Sequence, residues 1–124
     1  EVKMANPSTT GGTGAGTEVL RRAYKATLAN TAHKLIDGVA DHIYTVTSII
    51  VTNIANTARL INMYAVIVED SNTELYLLRE MSLDGYATFV WDDKIVLTGT
   101  DELHIHSVSG ADVDVLITYI DQTF

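Results

Sequence analysis

His104 and His106 stand two residues apart, and Asp112 and Asp114 follow with the same spacing. On a strand, residues i and i+2 share a face. Two imidazoles and a carboxylate from the adjoining strand are the makings of a metal site, with His104, His106 and Asp114 as candidate ligands. The competing reading is an exposed polar face, where a His–Asp pair adds only about 0.2–1 kcal/mol. No further ligand is identifiable beside the two histidines and the one aspartate, so the polar face is favoured and no metal or cofactor is expected. On that reading Asp114 holds His106 charged and raises its pKa.

A second stretch invites a chemical reading. "TTGGTGAGTE", residues 9–18, sets Gly11, Gly12, Gly14 and Gly16 among small residues, as in phosphate-binding loops. A dinucleotide loop needs a hydrophobic strand ahead of its glycines, whereas "MANPSTT" is polar and holds the only proline. No Gly-Lys-Ser/Thr follows, so the Walker pattern fails as well. The glycines read instead as an N-terminal arm, residues 1–17, flexible and able to contact a partner.

Other chemistry is sparse. The chain has no cysteine, which excludes disulfides, thiolate metal sites and a cysteine nucleophile. No Gly-x-Ser-x-Gly elbow occurs. Glu69/Asp70 and Asp92/Asp93 sit where turns are expected, and there Asp bonds local backbone. No catalytic residue is assigned, and the chain is read as a non-enzyme. A net charge of −8, with 16 acidic against 8 basic residues, argues against nucleic acid, whose phosphates require clustered Lys and Arg. Only Arg21, Arg22 and Lys25 cluster. No run of 18 apolar residues suggests a membrane span, and "EVKMANPSTT" lacks the order of a secretory signal.

The elements that would position these residues are strands. With 124 residues, 47% of them hydrophobic, one domain over 18–124 can bury a real core. "IYTVTSIIVTNI" (43–54), "LINMYAVIVE" (60–69), "ELYLLREMSL" (74–83), "YATFVW" (86–91), "KIVL" (94–97), "ELHIHSV" (102–108) and "VDVLITYI" (113–120) are short, β-rich and separated by turn residues. Asp84-Gly85 predicts a two-residue hairpin. Matching hydrophobic phases predicts another, with Ser109-Gly110-Ala111 as its loop. That register pairs 105 with 115 and 103 with 117, and sets His106 opposite Asp114 and His104 opposite Leu116. Residues 17–37 are ambiguous: their apolar spacing favours a helix, with two strands, "EVLRRAYKATL" and "HKLID", as the alternative.

Several strands are apolar on both faces. Leu116 and Ile120 run opposite in phase to Val113, Val115 and Ile117. Such an excess points to a second buried surface, or to close packing at a sheet centre. Trp91, Leu116 and Ile120 are the candidate interface residues.

"HKLIDGVADHIYTVTSIIVTNIANT" and "DDKIVLTGTDELHIHSVSGADVDVLITYID" resemble small β-sandwich virion proteins of tailed bacteriophages, over roughly residues 19–121. The resemblance implies an antiparallel, jelly-roll-like sandwich of about eight strands, with strands rather than helix over 18–37. It also implies a non-enzymatic capsid decoration (cement), neck or tail-associated protein, made in the host cytoplasm and carried on the virion. Expected partners are the major capsid protein or other virion proteins and further copies of the chain, a trimer being the commonest arrangement. The alternative is a tail or fibre module that binds a receptor or carbohydrate, with Trp91 as its platform. The chain departs from the resembled pattern at "GVAD" and at the two histidines.

Overall fold

A computed structural model describes residues 17–123, which form two antiparallel sheets packed face to face. The strands are β1 (Glu18–Leu28), β2 (His33–Asp37), β3 (His42–Asn53), β4 (Arg59–Ile67), β5 (Thr73–Leu83), β6 (Thr88–Trp91), β7 (Ile95–Thr98), β8 (Glu102–Ser107) and β9 (Val113–Thr123). A short 3-10 helix, Val68–Asp70, links β4 to β5. The front sheet runs β1-β9-β3, and β6 and β7 both pair with the far side of β3. The back sheet runs β2-β8-β4-β5. Consecutive strands mostly change sheets, which is the connectivity of a jelly roll. The expected all-β sandwich is therefore present, and 18–37 holds two strands, β1 and β2, rather than a helix. Helical spacing misleads there because the apolar residues of β1 lie on both faces of an edge strand.

The core lies between the sheets. Val46, Ile49 and Val51 of β3 and Val113, Val115 and Ile117 of β9 meet Ile61 and Met63 of β4 and Leu103 and Ile105 of β8, all buried. Alternation in each strand sends these side chains inward and their neighbours outward. Each buried side chain of this size contributes about 1.5–3 kcal/mol.

Both expected hairpins are absent. β8 pairs with β2 and β4, whereas β9 pairs with β1 and β3, so Ser109-Gly110-Ala111 crosses between sheets. Leu103 and Ile105 do share a core with Val113, Val115 and Ile117, but from the opposite layer. Hydrophobic phase reports which face is buried, and a face across the core satisfies it as well as a hydrogen-bonded neighbour does. Asp84-Gly85 likewise connects β5 of the back sheet to β6 of the front. The turn closes through the Ala87 amide donating to the Asp84 carbonyl, and the left-handed residue is Tyr86, at φ 60°. Gly85 is required for another reason: a Cβ there would lie 2.5 Å from the Asn56 carbonyl carbon.

Candidate functional site

Three features carry the polar chemistry and the exposed apolar surface of the molecule. The first is the outward face of the back sheet. Alternation along β8 sends Glu102, His104 and His106 outward together, and the register sets Lys34, His104, Tyr64 and Tyr76 in one row across four strands. Lys34 Nζ donates to Glu102 Oε2 at 3.0 Å. His104 Nε2 lies 2.8 Å from Glu102 Oε1, and its Nδ1 lies 3.3 Å from the Tyr64 hydroxyl. A carboxylate only accepts, so Nε2–H donates to Glu102 and Nδ1 is left to accept from Tyr64. This hydroxyl–imidazole–carboxylate order resembles a nucleophile relay, but its electrostatics run the other way. Burial raises the Tyr64 pKa and keeps the phenol protonated. Its ring is held between His104, at 4.9 Å, and Tyr76, at 5.1 Å. Hydrogen bonds from His104 and then Lys34 lower the Glu102 pKa, with burial opposing them. The row braces the sheet.

His106 belongs to the same face but not to the predicted pairing. Asn62 Oδ1 accepts the Glu80 amide at 2.6 Å, which fixes the side-chain amide, so Nδ2 faces His106 Nε2 at 3.1 Å as donor. His106 must therefore be neutral, with its proton on Nδ1, and that nitrogen is buried without a hydrogen-bond partner. Burial lowers the His106 pKa, opposite to the rise expected from a neighbouring Asp114. Asp114 is in the other sheet, where its Oδ1 accepts the Thr27 amide at 2.9 Å and secures a bulge in β1. His104 faces Lys34 and Tyr64, not Leu116. The three candidate metal ligands are thus not brought together, and no group of three His, Cys, Asp or Glu suited to a metal occurs among the described residues.

The second feature is a set of buried polar clamps at strand ends. Asp121 accepts from Arg21 Nε at 2.9 Å and lies 2.6 Å from His42 Nδ1, tying β1, β9 and β3 together. Asp101 accepts the Val68 amide at 3.0 Å and the Thr98 amide at 3.1 Å. Asn53 is wholly buried and bonded through both ends of its amide. None of the three is among the residues singled out above. Phase marks two of them: Asp121 follows Val113, Val115, Ile117 and Tyr119, and Asn53 follows Ile49 and Val51, all at inward positions, whereas Asp101 lies in the turn between β7 and β8.

The third feature is the outward face of the front sheet. Leu20 pairs with Ile120 and Ile120 with Thr45; Tyr24 pairs with Leu116, Leu116 with Ile50, and Ile50 with Val90. These two apolar rows are separated by Arg22, Thr118 and Ser48. Leu20 is 69% exposed, Tyr24 68% and Leu116 38%. Beside the β1 bulge, Tyr24, Ala26, Ile50, Asp114 and Leu116 line a depression of about 230 Å³. Leu116 and Ile120 share this face. Trp91 does not: it pairs with inward-facing Ile49, packs against the core, and donates its Nε1–H to the Asp93 carbonyl at 2.9 Å. The arm glycines Gly11, Gly12, Gly14 and Gly16 lie outside the described residues.

No family model and no curated protein matches the chain. Solved structures share its fold. A subunit of Bacillus endospore appendages, described as disulfide-linked pili, superposes with a TM-score of 0.55 at 15% identity, covering 94% of this chain and 96% of that one. A chain of the T13 IBDV viral particle gives 0.52 at 5% identity and covers 86% of this chain, which spans 31% of the viral chain's length. A chain of the capsid of Helicobacter pylori bacteriophage KHP30 gives 0.49 at 14% identity, with 86% and 92% covered. The first two likenesses define the class: an all-β, two-sheet sandwich.

Proposed function

We propose that this chain is a non-enzymatic structural protein of a bacteriophage virion, a decoration (cement) protein that binds the outer capsid surface and braces it. The observation that carries the reading is the outward face of the front sheet. Six exposed apolar side chains, Leu20, Tyr24, Ile50, Val90, Val96 and Leu116, stand among threonines with few charges, and burying such a surface against a partner is favourable at little desolvation cost. The polar residues able to do chemistry are bound to one another instead. The partner is the major capsid protein or another virion protein, with further copies of the chain alongside. Neither nucleic acid nor membrane takes part. Residues 1–16, which lie outside the described residues, supply a further contact to a neighbouring capsid subunit.

Particles carrying and lacking the protein are heated and osmotically shocked side by side. The reading expects greater resistance with the protein present, and equal resistance removes it. Leu116→Asp and Ile50→Asp should abolish attachment without unfolding the chain. A second reading, a self-assembling appendage subunit, is favoured by the near-complete mutual coverage with the endospore protein. Without cysteine such a fibre would be held by non-covalent contacts, and filaments in concentrated pure protein would promote this reading. The carbohydrate-binding alternative loses its platform, because the Trp91 indole packs against the core.

A further inference from the structure

β1 ends the front sheet. It pairs with β9, and over residues 18–24 its other side has no backbone partner among the described residues. Alternate residues of this stretch thus present unpaired N–H and C=O groups on a strand with no proline, whose bulge comes only after Lys25. An edge of this kind is a template for another strand. Its side chains add apolar area, with Val19 40%, Leu20 69% and Tyr24 68% exposed.

We infer that two copies of this chain associate through antiparallel pairing of their β1 strands, about a twofold axis at Leu20, so that the front sheets become one continuous sheet. The charges select both the partner and the register. β1 carries Glu18, Arg21, Arg22 and Lys25, and Arg21 is already held by Asp121. Centring the pair on Leu20 sets Glu18 opposite the partner copy's Arg22 on each side of the axis, and Arg21 opposite Val19. Centring on Arg21 or Arg22 sets that arginine against itself. Centring on Ala23 sets Arg21 against Lys25, and centring on Val19 leaves Glu18 facing Leu20. Like charges directly opposite destabilise a pair and unlike charges stabilise it, so only the Leu20 register among these satisfies the ion pairs.

A further point fits this arrangement. A self-complementary patch related by a twofold is the commonest basis for a homodimer. The twofold differs from the trimer that the sequence resemblance implies. The pairing does not rest on the virion reading, since it is a property of the purified chain.

Light scattering of the full chain at micromolar concentration tests it. The expected species is a dimer, with slow deuterium exchange at the amides of 18–23 that face away from β9. Glu18→Arg alone and Arg22→Glu alone each set like charges opposite one another twice, and should weaken the dimer about tenfold or more. Combining the two swaps should restore it, an outcome that a merely damaged fold would not give. A monomer, a trimer or other oligomer indifferent to the single swaps, or a double swap without rescue would each overturn the inference. So would slow exchange at those amides in a monomer, because the chain's own arm would then occupy the edge.

Discussion

Replacing Asn53 with Ala should be among the most damaging single changes to the fold. Asn53 sits wholly buried at the end of β3. Its Nδ2 group faces the carbonyls of Thr57 at 2.8 Å, Leu83 at 3.0 Å and Asp84 at 3.1 Å. Its Oδ1 accepts the Ala55 amide at 2.9 Å. One side chain therefore closes the turn after β3 and fastens it to the end of β5. Alanine removes all of these bonds. The Leu83 contact is buried, so that carbonyl is orphaned at roughly 1–3 kcal/mol, while groups nearer water lose about 1 kcal/mol each. The sum is about 3–4 kcal/mol, which for a domain of this size lowers Tm by roughly 10–20 °C. Asn53→Asp should be worse, because it sets a carboxylate against three carbonyl oxygens. Urea titration followed by far-ultraviolet circular dichroism measures both, with exposed Asn30→Ala as a control expected within about 0.5 kcal/mol of wild type. A loss below about 1 kcal/mol for Asn53→Ala, or an aspartate milder than the alanine, would refute the reasoning.

Acidification should destabilise the protein through His106. Its pKa is lowered in the folded state, so the stabilisation is present above the unfolded value of 6.5 and is lost as pH falls through the lower folded value. His33, lowered by burial and then by Lys25 and His104, acts in the same direction. An NMR titration placing His106 at or above 6.5 would count against the Asn62 contact that fixes its tautomer. Gly85→Ala should cost about 1–3 kcal/mol by driving a Cβ into the Asn56 backbone, and a melt within a degree of wild type would contradict that packing. Asp121→Ala should cost about 2 kcal/mol, moderated because Arg21 is half exposed and regains water, and hydrogen exchange should quicken first at the start of β1.

Much of this architecture was legible residue by residue, and what was not has physical causes. The strands from β3 onward announce themselves by alternation, and the opposed phase of Leu116 and Ile120 marks the outward face they share. Strand pairing is another matter. Ile105 and Val115 both point into one core, and nothing in their alternation says whether about 5 Å of hydrogen-bonded spacing or about 10 Å of packed core separates them. The His106–Asp114 pair rested on the first distance, and the chain adopts the second. A hairpin at Asp84-Gly85 would use glycine for its positive φ, whereas the smallness of Gly85 answers an approach by Asn56, 29 positions away in sequence, which no local pattern records. Asp121 and Asn53 were legible in principle, because each occupies an inward position where a polar group must find partners.

The two outward faces are unlike, and the difference bears on how such a molecule assembles. On the back sheet, Tyr64 and Asn62 are buried although they face outward, because their neighbours on adjacent strands cover them. Lys34, Glu102 and His104 spend their hydrogen-bonding capacity on one another and on Tyr64. Covering that face with a partner would strip solvent from a lysine and a glutamate already satisfied, at a desolvation cost that few new contacts recover. On the front sheet the outward rows are leucine, isoleucine, valine, tyrosine and threonine, interrupted by Arg22 and bordered by Glu18 and Asp114. Burial there releases water from apolar area and leaves one arginine to be matched by an acid. The free edge of β1 adjoins the same face. Pairing at that edge joins two apolar faces side by side rather than hiding either, so a dimer would offer any partner surface twice the docking area and a correspondingly slower release.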